Sequence, residues 1–224
     1  MPSVKIPKKS TDNDMTPFVD VAFLILSFFM LATKFKPPEA VEITTPNSVS
    51  SKELQQKDAI VVSLDKSGRV FFTMQIDQDK NAPIVLIKNL NDTRNLGLTN
   101  AEMASFAKNP SIGVPFSQLK PYLALSEDEQ KKVVQPGIPI QDSASNELYY
   151  WVRDAIGAFA QNRTAIDYMI KGDNAAKYPA FKEVLSAFKR NDQNKFLLVT
   201  APEEAPIGTD LYNERQVTGG PKKN

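Results

Sequence analysis

From Pro17 to Thr33 the chain is apolar almost without interruption, and the one charged residue in that stretch is Asp20. Such a run predicts a helix whose side chains are apolar all round, the pattern of a membrane span. At roughly 1.5 Å per residue it reaches about 25 Å, slightly under the roughly 30 Å of a hydrocarbon core. Met15 and Phe35 can extend it, and Lys34 and Lys36 can snorkel to the head groups. Thr16 is an N-cap type and Pro17 lacks an N–H, so the pair predicts the helix start. At helical spacing Thr16, Asp20, Phe23, Leu24, Ser27 and Leu31 share one stripe, opposite Val21, Ile25, Phe28 and Ala32. A carboxyl and a hydroxyl facing lipid would lack hydrogen-bond partners, so the polar stripe calls for a protein partner.

Beyond the span the pattern changes to that of a soluble domain. Ala59–Leu64 and Arg69–Thr73 are rich in β-branched and aromatic residues and flank Asp65-Lys66-Ser67-Gly68, which predicts a hairpin. Asn146 is a cap type ahead of Leu148, Trp151, Val152, Ala155, Ile156 and Phe159, an apolar stripe at helical spacing. Ile166–Lys171 predicts a strand ending in a turn at Gly172-Asp173. Tyr178-Pro179-Ala180-Phe181 opens a helix through Val184, Leu185 and Phe188, and Phe196–Thr200 predicts a last strand. Between the hairpin and the Asn146 helix the pattern is broken by Pro110, Pro115, Pro121, Pro136 and Pro139. There Ile84–Ile87 predicts a strand and Thr99–Lys108 a short helix. Ser126 and Glu129 form a capping box, so Glu127, Asp128 and Glu129 read as a solvated helix start and not as a metal site.

Composition narrows the chemistry. With 27 basic and 26 acidic residues the formal charge is +1, and the bases form no stripe, which argues against nucleic acid as a partner. The absence of Cys removes disulfides, thiol catalysis and iron–sulfur clusters. The absence of His removes the commonest metal ligand and the usual general base. No nucleophile–base constellation remains, so the expectation is a protein that is not an enzyme and carries no metal or organic cofactor. Proton chemistry near neutral pH then falls to a carboxylate or a lysine, and an acid inside a membrane helix is by default a functional residue. A plainer reading of Asp20 also stands: near the helix N-terminus it would be favoured by the helix dipole and partly wet. A cleaved signal peptide fits poorly, because the run contains an acid and no small-residue cleavage site follows. Lys5, Lys8 and Lys9 place the short N-terminus in the cytoplasm and the larger domain across the membrane.

The stretch from Asp14 to Met30, with Thr16-Pro17, Asp20 three residues beyond the proline, and a Phe-rich run behind, resembles the N-terminal signature of the ExbD/TolR biopolymer-transport family. That resemblance implies an inner-membrane motor subunit in which Asp20 carries protons, the coupling ion, within a ring of ExbB/TolQ-like subunits, with Thr16 and Ser27 as polar helpers. It further implies a domain on the periplasmic side that dimerises and engages a TonB-like transducer. A TonB-linked transport role, a TolR-like or gliding or secretion role, and a merely tethered binding or structural module remain the alternatives.

Two shorter stretches carry weaker resemblance. Val41-Glu42-Ile43-Thr44-Thr45-Pro46 is similar to the segment that in relatives follows the span and docks on the domain as an added strand, although a plain extended linker explains it equally well. Lys171, Asp173 and Tyr178 match a strand, turn and Tyr-led helix in the family's second half, where Asp173 as a turn brace and Tyr178 as a core residue are the simpler roles. The resulting expectation is an α+β fold: one transmembrane helix, then a small domain with an antiparallel or mixed sheet and two helices on one face. Its parts are a cytoplasmic N-terminus (1–14), the span (15–35), a linker (36–57), the domain (58–205) with a semi-structured insert at about 75–145, and a flexible tail (206–224). The insert departs from the family pattern and puts a standard TonB-like partner in question.

Overall fold

The computed structural model of the chain describes residues 15–32, 41, 43–48, 57–141, 146–161 and 165–202. The N-terminus at 1–14, Glu42 and the tail at 206–224 lie outside the described residues. The chain divides into two compact units, Met1–Pro37 and Pro38–Asn224.

In the first unit, α1 (Thr16–Ala32) is a single helix of 17 residues. Its large apolar side chains from Phe18 to Leu31 are all exposed, with Leu31 at 88% and Ile25, the least exposed, at 49%. No described helix is long and apolar enough to cross a membrane.

The second unit is built on a mixed sheet. β2 (Ala59–Leu64) and β3 (Val70–Gln75) form the expected hairpin, antiparallel in the register Ala59↔Gln75 to Leu64↔Val70. The turn closes through Asp65, whose Oδ1 accepts the N–H groups of Ser67 (2.8 Å) and Arg69 (2.9 Å). Gly68 takes φ +84° there, the left-handed region in which a glycine is unstrained. β4 (Ser111–Ile112) adds antiparallel to β3 on one side. β5 (Asp167–Gly172) adds parallel to β2 on the other, followed by β6 (Leu197–Leu198), parallel to β5. The sheet order is therefore β4-β3-β2-β5-β6. A separate two-stranded parallel pair joins β1 (Asn47–Ser48) to β7 (Ala201–Pro202).

Alternation along β2 and β3 sends Ile60, Val62, Leu64, Val70, Phe72 and Met74 into one core. α6 (Glu147–Gln161) covers it, begun by Asn146, whose Oδ1 accepts the N–H of Tyr149 at 3.2 Å. α7 (Tyr178–Lys189) packs against α6 and also contacts β2. At the centre is Trp151, fully buried, with ring centroids 5.4 Å from Phe72, 5.6 Å from Phe106 and 5.8 Å from Phe116.

Two of those rings come from residues 75–145, which corrects the expectation of a semi-structured insert with only two helices on the sheet. The stretch contributes α2 (Ala82–Arg94), α3 (Asn100–Lys108), α4 (Phe116–Leu123) and α5 (Glu127–Lys132), and buries Leu86, Ile87, Leu90, Phe106, Ile112 and Leu119 in the shared core. Ile84–Ile87 is helical, not a strand. Pro83 at the first turn suits a helix start, and Ala82, Leu86, Ile87 and Leu90 recur at helical spacing, so burying that face outweighs the β preference of Ile84 and Val85. The connection into α2 is fastened by the buried carboxylate of Asp58, which accepts the N–H groups of Asp77 (2.7 Å), Gln78 and Asp79. Gly113 lies so close to the Phe71 ring that a Cβ would collide with it. Both capping boxes form, Thr99 with Glu102 and Ser126 with Glu129.

Candidate functional site

The residues singled out from sequence fall in two places. On α1, Asp20 is exposed, one turn beyond Thr16 and two turns before Ser27. The Ser27 hydroxyl donates to the carbonyl of Leu24 at 2.9 Å, which satisfies it within the helix and leaves its oxygen as an acceptor on the Asp20 stripe. The helix thus presents one ionisable group amid apolar side chains.

In the second unit, Asp173 directly follows β5 and joins three segments. Its N–H donates to the carbonyl of Leu64 at 2.8 Å, its Oδ1 accepts from Ala175 N–H at 2.9 Å, and its Oδ2 accepts from Thr44 N–H at 3.2 Å. Asn174 N–H returns a bond to the Thr44 carbonyl at 2.9 Å. Ile43 is 8% exposed, and the Pro46 carbonyl accepts from Ala201 N–H at 2.9 Å as β1 pairs with β7. The segment around Ile43 and Pro46 therefore lies along the domain, bonded at both ends, with Val41 half-buried just before it. Lys171 is half-buried on β5 opposite Ser63. Tyr178 is not a core residue: it is 71% exposed where α7 begins.

Titration behaviour in the domain follows burial. Burial pushes the Glu147 carboxyl above its ordinary value, partly offset by the N–H of Phe116 (2.8 Å from Oε2) and by Arg94. Burial also raises the Tyr168 phenol, and that of Tyr122 despite its bond from Gln135 Nε2 at 2.9 Å. The bond from Arg153 Nε to Asp154 Oδ1, 2.7 Å long, raises the Arg153 guanidinium against a smaller opposing effect of burial. Among the described residues no group of three or more His, Cys, Asp or Glu could hold a metal ion.

The model of the family described as Biopolymer transport protein ExbD/TolR matches residues 7–203. The chain belongs to the ExbD/TolR family. The match runs through α1 and the whole described part of the second unit, so the helices of 75–145 lie within the matched region. No curated protein and no solved structure matches the chain. ExbD/TolR membership carries an energy-transducing role in biopolymer transport, a family that is anchored in the inner membrane and works with ExbB/TolQ-type partners.

Sequence reasoning missed one group of side chains in this ExbD/TolR domain. Asn89, Asp92 and Thr93 on α2 and Arg153 and Asp154 on α6 line a cleft of about 520 Å³. The available signal was Asp154 itself, an acid wedged between Val152 and Ala155 in an apolar stripe, where it is 8% exposed.

Proposed function

We propose that the chain is an ExbD-like subunit of a motor driven by the proton-motive force, crossing the inner membrane once through α1, with Asp20 loading and releasing the proton. The observation that carries this reading is the placement of Asp20 on a helix whose large apolar side chains are exposed on every side, in a chain of the ExbD/TolR family. Such a helix in water would leave far more apolar surface exposed than monomeric soluble proteins tolerate. Its 17 described residues come to about 26 Å, so a bilayer must thin slightly around it or residues beyond Ala32 must complete the crossing. The electrical part of the driving force is about 2.3 kcal/mol per charge per 100 mV, comparable to the roughly 2.5–3.5 kcal/mol cost of an acid at a helix centre. Protonation can therefore decide whether the stripe of Thr16, Asp20 and Ser27 faces an ExbB/TolQ-like ring or turns within it.

On this reading the domain lies in the periplasm, acts as a dimer, and passes work to a TonB-like transducer serving outer-membrane transport. The protein performs no enzymatic step and needs no cofactor beyond the proton. Reconstitution with its ring subunits in proteoliposomes, with an internal pH dye, tests the central claim. Wild type should conduct protons under an applied potential and Asp20→Asn should not, with both variants inserted equally. Equal flux from the two would sink the proposal.

A further inference from the structure

We infer that the end of the domain formed by the β2–β3 turn docks on an anionic lipid surface, through the exposed side chains of Val133, Val134 and Tyr178 and the lysines around them. Two contacts gather that end. The turn Asp65–Gly68 meets α7 at Ala180, whose Cβ is 3.6 Å from where a Cβ on Gly68 would lie, and Arg69 Nη1 donates to the Gln135 carbonyl at 3.1 Å. Val134 and Tyr178, beside those contacts in sequence, are 81% and 71% exposed, and Val133 is 41% exposed. Among the described residues of the domain, Ile84 and Leu198 are the other large apolar side chains that stand exposed, so three of the five sit at one end. Lys66, Lys132 and Lys177 are exposed there and take part in none of the ion pairs among the described residues. The acids nearby are already engaged. Asp65 pairs with Arg69, Asp128 with Lys131 and Glu127 with Lys108, while Asp173 is turned onto the N–H groups of Thr44 and Ala175.

Apolar side chains within a rim of lysines suit the boundary between head groups and acyl chains, where a tyrosine ring keeps its hydroxyl wet and lysines reach anionic head groups. Position adds to chemistry, on the reading of α1 as the membrane anchor, on which this inference rests. The chain that leaves α1 at Ala32 enters the domain at this same end, where Thr44 is bonded to Asp173 and Asn174. Residues 33–44 can span at most about 40 Å, so this end cannot stray farther than that from the bilayer. A weak patch held so near acts at a high effective concentration. The opposite end of the sheet carries the other sign. Asp58, Asp77, Asp79 and Asp167 meet there against Lys57 and Lys80, and an anionic surface repels that end.

The chain has no cysteine, so a single label can be placed at a chosen position. The test reconstitutes the full chain in nanodiscs of phosphatidylcholine, alone or mixed equally with phosphatidylglycerol. The fluorophore NBD is carried on Val134→Cys or, at the opposite end, on Asn81→Cys, both exposed positions at which the fold should survive by circular dichroism. A nitroxide on the lipid acyl chain, close to the head group, reports contact by quenching. In the anionic nanodiscs the label at 134 should be quenched about threefold more than the label at 81, and should emit at shorter wavelength. That excess should fall by about half or more in neutral nanodiscs, in high salt, or when Lys66→Gln, Lys132→Gln and Lys177→Gln are combined. Equal quenching at the two positions, or an excess indifferent to lipid charge and to the lysines, overturns the inference and leaves the reading of α1 standing. A chain that does not travel with the nanodiscs overturns the reading of α1 and the inference with it.

Discussion

Helix α1 and the β2–β7 domain use the same apolar residue types to opposite ends. In the domain, Trp151, Phe72, Phe106 and Phe188 are buried to 1% exposure or less, and the indole N–H of Trp151 is buried with them without a hydrogen-bond partner. In α1, Phe18, Phe23, Phe28 and Phe29 are between 62% and 69% exposed. The difference teaches where each part's stability originates. The domain carries its own solvent-excluded interior, whereas α1 is a surface whose partner is its surroundings. An acid is tolerated in both, in the domain because Arg153 bonds Asp154, in α1 because Asp20 remains open to whatever meets the helix.

Asp20→Asn bears on that division most directly. It should abolish proton-coupled activity outright yet leave the urea midpoint of the domain, followed by the single tryptophan, unchanged. A shifted midpoint would mean that the two parts share their stability. Trp151→Ala is the converse. Emptying the centre of the aromatic cluster should cost about 3–5 kcal/mol, read by circular dichroism during urea unfolding, while membrane association persists. Asp173→Ala comes next. It deprives the N–H groups of Thr44 and Ala175 of their acceptor, with an expected loss of about 1 kcal/mol and faster amide exchange at Thr44. Gly157→Ala should stabilise the domain by about 1 kcal/mol, since it fills open space on a helix.

The smallest effect belongs to Glu147→Gln. Burial raises the folded-state pKa of Glu147 above its ordinary 4.5, so the folded protein keeps this proton at pH values where the unfolded chain has lost it. The stabilisation is complete below the unfolded value and disappears as pH rises through the folded one. Glutamine keeps an oxygen for Phe116 N–H but does not titrate. The variant's melting temperature should lack that downward slope, and an unchanged slope would assign it to another group.

Legibility in the sequence followed the length of each element. The stripe Leu148, Trp151, Val152, Ala155 and Phe159 spans several turns and its period is unmistakable, and the Asp65–Gly68 turn has chemistry of its own. Ile84–Ile87 suits a strand or a buried helix equally, because four apolar residues show no period of their own, and only Leu90 and Pro83 tip the balance. β1, β4 and β7 are two residues each and leave no periodic trace, whereas β6 falls inside the apolar run Phe196–Thr200 that predicts it. Of the site, Asp20 declared itself by its apolar neighbours, and Asp173 by its turn. Its bond to Thr44, 129 residues away, is fixed by the fold alone. The α2–α6 cleft stayed hidden because Arg153-Asp154 looks like an ordinary surface pair until α2 is laid beside it.

The parallel pairing of Asn47 with Ala201 and Ser48 with Pro202 has a mechanical side. Both strands begin at the same end of the pair, where the incoming segment arrives and where β7 leaves the sheet. A pull on that segment, resisted at the sheet, opens the pair one bond at a time and needs little force. A load applied beyond Pro202 and resisted at the segment entering β1 instead strains the bonds together and meets a stiffer joint. The same few backbone bonds therefore yield easily to tension from one direction and hold against it from the other.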